Sequence, residues 1–401
     1  MTTAQSLAAV APAEANVARR ADHPFRLRTM VVVGVRMMFH DRLKLAGTLF
    51  GVIFAVVLTN QQLGVFLGLL DKNSMFIDHA GAEIWIAPPA TKTLQAGKPV
   101  PMAALYEART TPGVAWAEPL IFSGATVSLP GGGSEPVTLV GTKSPAWRGG
   151  PWNLVAGSVD ALRRPDTMIF EDSQRDILGG LNVGSVREVS RRRIVVGGFT
   201  WGLLPFGPSY AFADYDLARE LTGTPVDETS FVLVGVSPGA DRDVVAHALQ
   251  ARVGDNQVFT AAEFRSRVLT YILANTGIGV TTGTSTAFGL IVGLVIVGLA
   301  MFSAVVDNIR EFGTLKALGC RNRDLAVLLL TQSAVYALLG STIGLGMISF
   351  VADRVRSPNF ALVLPWQAYA ATPVVMATLC GLASLLALVR VRNVEPAMVF
   401  R

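Results

Sequence analysis

The chain has 401 residues, of which 51% are hydrophobic and only 16% charged, and its mean hydropathy is +0.46. Soluble domains carry roughly a quarter charged residues, so this composition excludes an ordinary soluble protein and points to a membrane. The 39 glycines and 21 prolines show no period, which excludes a collagen-like chain, two cysteines cannot build a disulfide framework, and four histidines leave little for a metal cluster.

Residues 1–23 are Ala-rich and polar and are expected to be disordered. In 24–44, Arg26, Arg28, Arg36, His40, Arg42 and Lys44 stand among aliphatic and Met residues. That pattern suits either a helix lying in the membrane interface or a cytoplasmic prolongation of the first span. Residues 45–70 contain no ionisable side chain over 26 positions, more than the roughly 20 needed to cross a bilayer. This run begins too late and is too long for a cleaved signal, so the N-terminus is expected to stay attached.

Residues 71–267 read as an inserted mixed α/β domain. Strands are expected around 82–87, 126–129, 137–140, 167–170, 194–196 and 231–236, each rich in β-formers and bounded by Gly, Pro or Asp. Helices are expected at 101–110, at 214–222 with Asp214 as N-cap and Gly223 as stop, and at 241–252. Thr260-Ala-Ala-Glu263 has the form of a capping box opening a helix that feeds the next span.

The second charge-free run, 268–306, has 39 residues, too many for one crossing. Its polar, Gly-rich part, Asn275 to Thr286, is expected to stand outside the bilayer as a stalk, with the span near 287–306. A loop at 307–324 precedes a third span at 325–352, a short loop at 353–366, a fourth span at 367–389 and a tail at 390–401. The fold class is thus four transmembrane α-helices with a large mixed α/β domain between the first and second.

Charge orients this topology. The inserted segment 71–267 holds 18 Lys+Arg against 21 Asp+Glu, a net of −3, and the remainder holds 16 against 8, a net of +8. The basic residues concentrate in 1–44, 307–324 and 390–401, which four spans place on one side, and the positive-inside rule makes that side cytoplasmic. The large domain is then exterior, and the overall +5 is no sign of nucleic-acid binding. Arg354 and Arg356 are a minor exception.

Chemistry-bearing patterns are sparse. No glycine-rich phosphate loop precedes a Lys-Ser/Thr, Gly141-Thr-Lys-Ser144 being the nearest fragment, and no His-Glu-x-x-His occurs; neither a catalytic nor a metal site is expected. Cys320 and Cys380 fall in a loop and a span, and neither reads as a nucleophile. Glu171-Asp172 and Asp241/Asp243 read as caps and solvated faces, and Arg191-Arg-Arg193 as a solvated turn or strand edge rather than an anion grip. The spans carry no ionisable group with which to couple transport to an ion gradient, so energy would have to come from a partner ATPase. Small residues four apart, Gly47/Gly51, Gly64/Gly68, Gly289/Gly293 and Gly340/Gly344, fit close helix packing, within the chain or between two copies.

The loop Asp307-Asn-Ile-Arg-Glu-Phe-Gly-Thr-Leu-Lys-Ala-Leu-Gly-Cys-Arg-Asn-Arg-Asp324 reads as a short amphipathic helix, with Ile309, Phe312, Leu315 and Leu318 taken as its apolar face and Gly319 at its end. Arg310, Glu311, Gly313, Lys316, Ala317, Gly319 and Asp324 match the form R-E-x-G-x-x-K/R-A-x-G-x-x-x-x-D/E. Here the sequence resembles the membrane subunits of MacB/FtsX-type ABC transporters. The stretch Leu45 to Val57 and the closing Val394-Glu-Pro-Ala-Met398 share the resemblance, and Phe54 to Gly68, Ile84-Trp-Ile and Pro112-Gly-Val114 look like the DevC branch.

The resemblance implies a non-catalytic permease homodimer in the bacterial inner membrane, both termini cytoplasmic. It implies two copies of an ABC ATP-binding subunit that carry the ATP and Mg, a periplasmic membrane-fusion adaptor, possible use of an outer-membrane channel, and contact with membrane lipid. Export of a lipid, glycolipid or other amphipathic cargo by mechanotransmission would follow. Arg310, Glu311, Phe312, Lys316 and Leu318 would couple to the ATPase, Glu311 and Lys316 as polar contacts and Phe312 as an anchor. The alternative within the resemblance is an FtsX-like signal relay controlling a periplasmic partner such as a cell-wall hydrolase.

Overall fold

The computed structural model describes residues 25–95, 97–205, 207–354 and 362–392, which fall into two compact units. The readings for residues 1–23 and for the tail beyond Arg392 lie outside the described residues.

The first unit takes in the chain up to Val56, Val292–Gly344 and the chain from Ala370. Helix α1, Phe25–His40, is separated from α2, Arg42–His79, by Asp41 alone. The Asp41 carboxylate accepts the N–H groups of Leu43 and Lys44, each at 3.2 Å, in the manner of an N-cap. The basic segment is therefore a helix of its own rather than a prolongation of the first span. It packs on α9, Asn322–Arg354, where Gln332 Nε2 donates to the Gly34 carbonyl at 3.2 Å.

Among the described residues four helices are long and apolar enough to cross a membrane: α2, α7 (Gly277–Asp307), α9 and α10 (Trp366–Arg392). Between apolar helices there is little hydrophobic gain, so contact depends on small residues and side-chain hydrogen bonds. Gly340 and Gly344 of α9 lie against Val52 and Val56 of α2, and a methyl group at either glycine would come 2.5 and 2.7 Å from the valine Cγ1 atoms. Ser333 and Ser384, both buried, share a hydrogen bond of 2.5 Å between α9 and α10.

The second unit comprises Val57–Ile291 and Leu345–Tyr369. Here α2 runs on through Asp71, Lys72 and Asp78 to His79; these polar residues end the apolar run, but not the helix expected to stop at Leu70. The following strands are β1 (Ile84–Ala87), β2 (Val100–Pro101), β3 (Val114–Ser128), β4 (Ser134–Thr142), β5 (Leu154–Gly157), β6 (Thr167–Glu171), β7 (Val186–Val189), β8 (Arg192–Thr200), β9 (Tyr210–Asp214), β10 (Glu228–Thr229), β11 (Phe231–Val236) and β12 (Gln257–Thr260).

Ten of them form one sheet in the order β12-β1-β11-β3-β4-β9-β6-β8-β5, with β7 bridging β3 and β8, while β2 and β10 pair separately. Its 15-residue β3 pairs β11 through its first half and β4 through its second, joining two sub-cores. Helices α3 (Met102–Thr110) and α5 (Arg242–Gln250) cover the β1–β11 side, and α4 (Tyr215–Thr222) covers β3, β4 and β9.

Local rules hold at the helix ends. Asp214 caps α4 through the Asp216 N–H, and Gly223 stops it at φ +67°, a left-handed conformation that costs glycine least. Asp241 caps α5, and the Thr260/Glu263 capping box opens α6, Ala261–Asn275. The polar run after Asn275 is helical from Gly277 onward. Its Thr281, Thr284 and Thr286 hydroxyls donate to the carbonyls of Gly277, Val280 and Thr282 at 2.7–2.9 Å, so the threonines are satisfied inside the helix.

Candidate functional site

The site is α8, Ile309–Ala317, separated from α7 by Asn308. Asn308 Nδ2 donates back to the Ala304 carbonyl at 2.9 Å and steadies the corner. Glu311 lies in the first turn and Lys316 in the last, the arrangement the helix dipole favours. At the far end the Gly319 and Cys320 N–H groups close on the Lys316 and Leu315 carbonyls at 2.9 and 3.0 Å, with Gly319 at φ +95°. Asp324 then accepts the Arg321 N–H at 2.8 Å and opens α9.

One side of α8 is committed to its own chain. Phe312 is fully buried among Val305, Leu325, Leu328, Leu329, Ala387 and Leu388, and Leu315, Val33 and Met37 pack around that cluster. Phe312 thus faces inward and anchors α8 on its own bundle. Arg310 and Glu311 are exposed, Lys316 is half-buried, and Leu318 is 82% exposed.

The expected apolar face fails at Leu318 for a geometric reason. Nine residues at 100° each turn Leu318 half a circle from Ile309, and α8 ends at Ala317 besides. Leu318 thereby becomes the exposed apolar side chain beside the charged face. Between α1 and α8 lies a cleft of about 450 Å³ whose polar lining includes Arg36, His40, Asp41, Lys44 and Glu311. No periodicity within either helix shows that α1 and α8 meet.

Of the glycine candidates, Gly51 packs within the chain against Ala300, Gly64 against Leu362 and Gly289 against Gln62, while Gly68 and Gly293 are buried. Gly47 is exposed, with nothing within 4 Å of where a Cβ would stand.

In the inserted domain, Asp172 pairs with Arg175 at 2.6 Å, but its neighbour Glu171 departs from the reading as a cap or solvated face. It is fully buried and accepts hydrogen bonds from the Gly202 and Leu203 N–H groups at 2.7 and 3.2 Å and from the Thr200 hydroxyl at 2.9 Å. Burial pushes its carboxyl above the ordinary range, and those hydrogen bonds oppose the shift. The Arg191–Arg193 run is a turn leading into a strand: Arg191 has φ +69°, and Arg192 and Arg193 open β8, where Arg192 pairs with Asp166 and Glu220. Among the described residues no group of three or more His, Cys, Asp or Glu gathers that could hold a metal.

The sequence matches the MacB-like periplasmic core domain over residues 45–252 and the FtsX-like permease C-terminal domain over 283–396. The chain belongs to the MacB/FtsX-type ABC transporter permeases. Two uncharacterised ABC transporter permeases, from Mycobacterium tuberculosis and Mycobacterium bovis, are 33% and 32% identical to it over 112 residues. Each match covers 27% of this permease and 31% of the relative, so the chain spans about a third of those relatives' length.

Among solved structures, the extracellular domain of the noncanonic ABC-type transporter YknZ from Gram-positive bacteria aligns at 15% identity and TM-score 0.35, covering 45% of this permease and 99% of that chain. The periplasmic region of MacB from Actinobacillus actinomycetemcomitans aligns at 12% and 0.36, covering 48% and 94%.

Proposed function

We propose that this permease is the non-catalytic membrane subunit of an ATP-driven exporter that works by mechanotransmission, moving a lipid, glycolipid or other amphipathic cargo out of the outer leaflet or periplasm. It acts as a homodimer in the bacterial inner membrane with both termini cytoplasmic. Two copies of a separate ABC ATP-binding subunit, which carry the ATP and Mg²⁺, sit against α8, and a periplasmic membrane-fusion adaptor, with an outer-membrane channel beyond it, receives the cargo.

The observation that carries this reading is the two-sidedness of α8. Phe312 fixes one side in the permease's own bundle, while Arg310, Glu311 and Leu318 stay exposed. A push on the exposed side is delivered to the bundle through Phe312 and to α7 through one intervening residue, Asn308. Both α7 and α2 are unbroken over 31 and 38 residues, so a displacement at one end is felt along the helix.

The test is a paired substitution in the permease expressed with its ATP-binding partner. Glu311→Lys and Leu318→Ala leave the permease folded but abolish co-purification of the ATPase or its stimulation by cargo. Normal assembly and stimulated ATPase activity in both variants would overturn the coupling assignment.

A further inference from the structure

The inserted domain holds a cavity of about 380 Å³ beside Lys72 and Asn73 near the end of α2 and Val268 to Ile272 of α6. Its apolar lining is firm: Leu94, Phe122, Val268 and Ile272 are each more than nine-tenths buried. These residues come from a loop, the central strand β3 and α6, so the wall is built by the fold and not by one mobile segment.

Two polar groups in the lining have hydrogen-bonding capacity to spare. Tyr210 is 97% buried in residue terms, at 3% relative exposure, yet its hydroxyl makes no hydrogen bond among the described residues. Lys72 is half-buried; its ammonium donates to the Gly202 carbonyl at 2.8 Å and makes no ion pair within 4 Å among the described residues. An ammonium has three donors, so two remain. The nearby Glu171 carboxylate does not take them, being engaged by Thr200, Gly202 and Leu203.

Position adds to chemistry. Lys72 comes two residues after the charge-free run that ends at Leu70, where a helix leaving the hydrocarbon meets the headgroup region. A cationic donor and a free hydroxyl beside an apolar wall at that height match a molecule with an anionic head and an apolar chain, and match neither alone.

We propose that this cavity binds an anionic amphiphile, its carboxylate or phosphate head meeting Lys72 and the Tyr210 hydroxyl and its chain lying against Phe122, Val268 and Ile272. The proposal rests on the export reading for the ligand's role as cargo, but the binding belongs to the permease alone and is measured without the motor.

The experiment uses the full chain in detergent or nanodiscs without ATPase. Native mass spectrometry and competition measure three probes: lyso-phosphatidylglycerol, lyso-phosphatidylcholine of equal chain length, and glycerol phosphate. The first is expected to bind about tenfold tighter than the second, the worth of one hydrogen bond to a charged group. Glycerol phosphate is expected not to compete, which separates a lipid ligand from a free phosphate.

Lys72→Met should reduce the anionic probe to the level of the zwitterionic one. Thr93→Trp, which fills the cavity from its rim, should abolish both while circular dichroism and assembly with the ATP-binding subunit stay normal. Retained binding in Thr93→Trp, unchanged anionic preference in Lys72→Met, or competition by glycerol phosphate at the affinity of the lipid would each overturn the site and leave the permease assignment standing.

Discussion

Arg265 Nε stands 3.2 Å from Asp78 Oδ2 and 3.1 Å from Ser74 Oγ, tying α6, which leaves the inserted domain, to α2, which enters it. Beside this tie, the two helices send Phe76 and Phe264 into one aromatic core, where both rings pack on Trp85 at 6.2 and 5.3 Å. The charged tie is partly exposed and worth little on its own, whereas two buried rings contribute far more.

The contrast is measurable. Phe264→Ala is expected to lower the stability of the inserted domain by about 3–5 kcal/mol, and Arg265→Ala by less than about 1 kcal/mol. Denaturant unfolding followed by tryptophan fluorescence reads both, and equal losses would show that the ion pair, not the aromatic core, holds the helices.

Glu171 predicts a pH dependence. Its folded carboxyl is pushed up by burial, so the folded domain keeps the proton at pH values where the unfolded chain has released it. Stability should therefore be greatest below the ordinary glutamate value, fall as pH rises through the raised folded value, and level off above it. Glu171→Gln should remove that slope and, by presenting an amide group where the Gly202 and Leu203 N–H groups need acceptors, cost about 1–3 kcal/mol at neutral pH. Melting midpoints of both proteins across the acid-to-neutral range decide it.

Glycine spacing divides into two kinds. Gly340→Ala should destabilise the bundle by about 1–3 kcal/mol, because Val52 has no room to give way. Gly47→Ala should leave the bundle's thermal midpoint unchanged, since its Cβ would meet open space. Detergent-resistance assays on the purified chain separate the two, and cross-linking of Gly47→Ala tests whether Gly47 belongs to the interface of the proposed homodimer.

Gly319→Ala places a side chain in a left-handed conformation at φ +95° and should cost about 1 kcal/mol or more. Hydrogen exchange of the Gly319 and Cys320 amides, now bonded to Lys316 and Leu315 carbonyls, should rise in the variant.

Features written in neighbouring residues were legible from sequence. Asp214 with Gly223, and Thr260 with Glu263, mark helix ends by local chemistry, and each is found in place. Strand β11 has the expected bounds, but β3 extends far beyond the four residues expected of it, because Pro119 and Gly124 interrupt a run that its neighbours β11 and β4 hold in register. The burial of Glu171 depends on Gly202 and Leu203, thirty positions away in sequence, and no pattern around Glu171 announces them. Phe312 stands out in the sequence as an anchor of α8, but whether an apolar ring faces its own bundle or a partner depends on α9 and α10, which supply most of its neighbours.

The way the inserted domain hangs from two helices has a consequence for how such permeases diversify. Everything from β1 to β12 lies between one entering and one leaving helix, whose contacts include those of Ser74, Phe76, Asp78, Phe264 and Arg265. A graft that exchanges the intervening sheet must therefore bring ring partners for Phe76 and Phe264, as Trp85 is now. Under the proposed function, cargo choice and motor attachment would then be separable cassettes of one chain.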